Sequence, residues 1–176
     1  MEDFDKDLFK DVRADNIKLK YMIEEKYLNL IVLCDAKENF DYKILWDTLD
    51  CYRNFISPNI KVYIYNSKLE DNEILKKIIH YYKLDKLVSF INNDNIQDAF
   101  TTFLGSDIVL MLNDVKDEYI NLVEYFKLPC IVINKELLKI NDKFLFIENN
   151  PEDLASAFSV LNLNIGYRRK LVLGNN

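Results

Sequence analysis

The sequence predicts an α/β domain, a doubly wound, Rossmann-like parallel sheet of about six strands. Two observations carry that expectation. Short, nearly continuous apolar runs alternate with longer stretches whose apolar residues recur at helical spacing. The apolar runs are also of strand length and lack an in/out alternation, which is the pattern of strands covered on both faces. A length of 176 residues makes one domain the natural reading, and 49% hydrophobic with 13% aromatic residues supplies a core.

In chain order, Leu28 to Cys34 reads as a buried strand. Tyr42 to Phe55 reads as a helix with Ile44, Leu45, Leu49, Tyr52 and Phe55 on its inner side. Ser57-Pro58-Asn59 interrupts it, and Ile60 to Tyr65 is the second strand. Asp71 or Asn72 caps a helix that runs through Tyr82 and buries Ile74, Leu75, Ile78 and Ile79. Leu87 to Ile91 is a short third strand. Asn95 caps a helix with Ile96, Ala99, Phe100 and Phe103 inward, and Asp107 to Leu112 is a strong strand. Tyr119 to Phe126, Pro129 to Ile133 and Phe144 to Ile147 follow as helix, strand and strand. Asn150 then caps a last helix with Pro151 in its first turn and Leu154, Ala157, Phe158 and Leu161 as the buried stripe. This divides the chain into an N-terminal helical extension (1–26), the α/β domain (27–162) and a tail (163–176). The extension spaces Phe4, Leu8, Val12, Leu19 and Ile23 as an amphipathic helix or two, and the tail Tyr167-Arg168-Arg169-Lys170-Leu171-Val172-Leu173 is basic, then apolar.

Composition excludes several functions. The net charge of −6, from 23 Lys+Arg against 29 Asp+Glu, argues against nucleic acid as a partner. The longest apolar runs, such as Ile108 to Leu112, fall far short of the ~20 residues of a membrane span. The opening Met-Glu-Asp-Phe-Asp-Lys-Asp has neither the basic nor the apolar part of a signal peptide, so a cytoplasmic chain is expected. Cys34, Cys51 and Cys130 suit unpaired buried thiols, and one histidine, His80, without a CxxC or HxxxH spacing leaves no zinc or transition-metal centre. With Gly105, Gly166 and Gly174 isolated, neither a P-loop nor GxGxxG is present.

Taken in order, Leu30-Ile-Val-Leu-Cys-Asp-Ala-Lys-Glu-Asn-Phe-Asp41, Ile60 to Asn66, Val88 to Asn92, Asn95 to Phe100 with Ser106 to Leu112, Leu122 to Ile133 and Phe146 to Phe158 resemble the strands and helices of the C-terminal, donor-binding half of GT-B glycosyltransferases. The resemblance runs from about Leu28 to Leu161 and rests on the order of elements. It implies a single GT-B-type half, no cofactor apart from a nucleotide-sugar donor such as a UDP- or GDP-sugar, and retaining hexosyl transfer if the chain is active. By the same resemblance Lys37 would contact the donor phosphates, Asp117 or Glu118 the sugar, and Glu124 the ribose.

The chain departs from the family's pattern at that site. Cys34-Asp35 stands where a Gly-Arg pair would fall, leaving Lys37 as the one cation, and Asn66 and Asn92 replace strand-end glycines. Two phosphates and a charged leaving group need positive charge, so Asp35 has the wrong sign. Asp117 and Glu118 precede Glu124 by seven and six positions with no glycine between them. Each candidate also has an ordinary explanation. Lys37 beside Glu38 is a solvated loop lysine, and Asp117 and Glu118 suit the first turn of a helix, where the macrodipole favours carboxylates by ~0.3–1 kcal/mol. Asn113 and Asp114 end a strand at the usual ligand edge, and also suit a loop cap.

A GT-B enzyme closes two domains around its substrates, whereas this sequence holds one. Three readings stand: a donor-binding part that needs a separate acceptor-binding chain for glycosyl transfer; a non-catalytic interaction or regulatory module on the same scaffold; and a flavodoxin-like or receiver-type domain, for which Cys34-Asp35 is a weak acidic signature. Tyr and Phe on the helix faces suit a protein partner or a homo-oligomer.

Overall fold

The computed structural model of the chain describes residues 27–34, 42–65, 69, 72–91, 96–112, 117–133, 144–147, 150–164, 167 and 171–172, with 96–99 and 117–118 as backbone alone. Strand β1 (Leu28–Cys34) leads to α1 (Lys43–Cys51), which continues as a π-helical turn (Tyr52–Ile56). Next come β2 (Ile60–Ile64), α2 (Glu73–Tyr81), β3 (Val88–Phe90), α3 (Ile96–Gly105) and β4 (Ile108–Leu112). The chain then forms α4 (Asp117–Phe126), β5 (Cys130–Ile133), β6 (Phe144–Phe146) and α5 (Pro151–Leu163). The six strands make one sheet in the order β3-β2-β1-β4-β5-β6, every pair parallel. This is the doubly wound fold the sequence predicts.

Each central strand is buried on both sides, and its side chains divide between two cores by the period of two. Leu28, Leu30, Val32 and Cys34 of β1 join Val62, Leu110 and Ile131 beneath α1, α2 and α5. Ile31 and Leu33 point the other way and join Tyr63, Met111, Cys130 and Val132 beneath α3 and α4. The first core carries Trp46, Tyr52 and Phe158, each about 1% exposed or less. The edge strands β3 and β6 have three residues each, which limits the backbone open to unwanted pairing.

Capping follows the sequence closely. Asn72 Oδ1 accepts the amides of Ile74 and Leu75 at 3.0 Å, so Asn72 is the cap of α2. Asn150 Oδ1 accepts the Glu152 amide at 2.9 Å, with Pro151 as the first helical residue. The C-terminal caps carry a compositional mark. Lys83 and Lys127 have φ of 56° and 52°. After α2, the Lys83 amide donates to His80 O and the Leu84 amide to Ile79 O, both at 2.9 Å. After α4, the Lys127 amide donates to Glu124 O and the Leu128 amide to Val123 O, both at 3.3 Å. These are Schellman closures, with the apolar pairs Leu84/Ile79 and Leu128/Val123 beside them. Glycine ordinarily takes such left-handed positions, and in a chain with three glycines lysine occupies them at a steric cost.

Two helical residues expected in the core are exposed. Phe55 is 84% accessible, because the π-helical turn winds less per residue than an α-helix and rotates it off the stripe of Leu45, Leu49 and Tyr52. Ile74 is 71% accessible: Leu75 and Ile79 form the inner line of α2, and Ile74 lies off that line. Helix α4 also begins two residues before Tyr119, at Asp117. The proposed cap Asn95 and the whole 1–26 extension lie outside the described residues. In the tail, Tyr167 and Leu171 pack partly buried against the first core.

Candidate functional site

The strand order reverses between β1 and β4: from β1 the chain winds outward to β3, then returns to the centre to place β4 against β1. Helices leave the two strands on opposite faces, which opens a crevice at the carboxyl edge, the place where open α/β sheets bind ligands. Cys34 and Leu112 are register partners at the floor of this crevice, 1% and 2% exposed. On the α1 side, the Tyr42 hydroxyl donates to Cys34 Sγ at 3.8 Å, and its ring lies 6.3 Å from Trp46. On the α4 side, the Tyr119 ring meets Tyr65 edge-on at 6.2 Å, and Tyr65 meets Phe103 at 5.8 Å. Tyr65 continues from β2, its amide donating to Val32 O at 2.9 Å. These aromatic contacts hold the first turn of α4 against the carboxyl edge. The alternation Tyr63-Ile64-Tyr65 at the end of a strand was the sequence signal for this shelf.

The candidate residues divide by position. Lys37 lies outside the described residues, as do Asp35, Asn66, Asn92, Asn113 and Asp114. Asp117 and Glu118 occupy the first turn of α4, at the end of the helix that follows β4 and faces the crevice. Glu124 is exposed in the last turns of the same helix, on the side away from the buried Tyr119 and Val123. Seven residues separate it from Asp117, an axial rise of ~10 Å. The fold therefore sets the three acidic candidates along one helix rather than around one point.

Among the described residues, no group of three or more His, Cys, Asp or Glu is placed to hold a metal ion. None of the three cysteines is in a disulfide; Cys34 and Cys130 are buried and Cys51 is half-buried. Burial pushes the Cys130 thiol well above its ordinary range, and it raises Cys51 as well, with Glu152 and Asp50 adding to that shift. Such thiols stay protonated and are poor nucleophiles. His80 is at the surface, its Nδ1 3.2 Å from Asp85 Oδ1, far along α2 from the carboxyl edge. No described helix is long and apolar enough to cross a membrane.

No protein-family model matches the chain, and no curated protein matches it in sequence. Solved structures do. The C-terminal domain of LpcC, a glycosyl transferase group 1 family protein of Francisella tularensis, superposes with a TM-score of 0.65 at 13% identity, over 91% of this chain and 87% of that one. The C-terminal CMP-Kdo binding domain of WaaA from Acinetobacter baumannii gives 0.66 at 10% identity, over 91% of this chain and 92% of that one. The chain has the fold of a GT-B C-terminal half. The UDP-GlcNAc 2-epimerase of Neisseria meningitidis, solved with UDP-GlcNAc bound, gives 0.65 at 12% identity, over 92% of this chain but 43% of its own length. Transferases and an epimerase thus share this GT-B half, and the fold locates the crevice without choosing the reaction.

Proposed function

We propose that the chain binds a nucleotide-sugar in the crevice between the carboxyl ends of β1 and β4. It acts there as the donor-binding half of a glycosyl-transfer unit whose acceptor-binding half is another domain or chain. The observation that carries this reading is the order reversal at β1 and β4 within a six-stranded parallel sheet. The similar folds of a CMP-Kdo binding domain and of an epimerase with UDP-GlcNAc bound support the ligand class. In this reading Lys37, on the connection leaving β1, neutralises phosphate, and Asp117 or Glu118 accepts hydrogen bonds from sugar hydroxyls at the start of α4. Glu124 accepts from the ribose. A donor-binding half alone leaves one side of the sugar open to water, so transfer requires the second half to exclude water.

A second reading, a non-catalytic interaction module, draws on Asp35, which puts negative charge where the phosphates would need positive charge. A thermal-shift titration against UDP, GDP, CMP, ADP and their sugar conjugates separates the two. A ligand at a hundred times its dissociation constant stabilises the native state by about 2.7 kcal/mol, a rise of several degrees at this size. A shift with one nucleotide, weakened by Lys37→Ala and Glu124→Ala, supports donor binding. No shift with any of them supports the interaction module.

A further inference from the structure

We draw no further inference here: the strongest candidate, the surface patch of exposed Phe55 and Ile56 in the π-helical turn that also holds Arg53, at the amino edge of the sheet, carries none, because Arg53 is already paired with Asp50 and nothing in the structure shows what covers the apolar side chains.

Discussion

At the amino edge of the sheet, helix ends pass into strands through short, hydrogen-bonded connections. The Val62 amide donates to Leu87 O at 2.7 Å, Val109 to Pro129 O at 2.9 Å and Asp107 to Asn29 O at 2.8 Å. Asp107 Oδ2 in return accepts the Asn29 backbone amide at 2.9 Å. Two Schellman closures, at Lys83 and Lys127, finish α2 and α4 on the same edge. At the carboxyl edge the connections run to eight residues, with 35–42 between β1 and α1 and 65–72 between β2 and α2, and they carry Lys37 and Asn66. Backbone pairing thus ties the amino edge together, and the carboxyl edge is the one at which open α/β sheets place their ligand sites.

Substitutions that weaken the scaffold should therefore lower stability and leave crevice affinity untouched, and the expected effects grade in size. Phe158→Ala removes a fully buried ring against Tyr52 and should destabilise the chain by about 3–5 kcal/mol, read as a lower urea midpoint. Asp107→Ala withdraws the carboxylate from the Asn29 amide between β1 and β4 and should cost about 1–3 kcal/mol. Any nucleotide affinity found for the unaltered chain should survive it when measured well below the melting temperature. An equal loss of affinity would mean that the two edges are coupled. Asn150→Ala deletes the cap of α5 and should cost about 1 kcal/mol. Lys127→Gly works in the opposite direction, relieving a left-handed residue, and should raise stability by up to about 1 kcal/mol; a loss would show that the lysine side chain contributes more than its backbone costs.

A pH dependence is expected as well. The Tyr82 hydroxyl donates to Asp47 Oδ1 at 2.6 Å, and this hydrogen bond, helped by burial, pushes its pKa from 10 up to about 12. The folded state holds the proton more tightly than the unfolded state. The stabilisation is therefore complete below pH 10 and lost as the pH rises towards 12. Tyr82→Phe should remove this slope between pH 10 and 12 in a denaturation series, and a slope unchanged by the substitution would assign it to another group.

Much of this architecture was legible in the chain. Strand cores such as Leu28–Cys34 and caps such as Asn72 and Asn150 rest on patterns only a few residues long, and those patterns survive folding. The exposure of Phe55 was not legible, since a π-helical turn shifts the helical phase without a marker in the local sequence. The place of Asp117 and Glu118 in the first turn of α4 was legible, since carboxylates suit a helix start, and it sets them apart from Glu124 along the same helix.

The sequence by itself determined the elements, their parallel kind and the cores they bury, because periods of 2 and 3.6 residues are local and each run of apolar side chains must find cover. Only the tertiary structure decided that β4 pairs with β1, that Asp107 meets Asn29 across 78 positions, and that a crevice opens where they reverse the order. Those choices belong to contacts between distant segments, whose free energy exists only once the sheet has closed around its two cores.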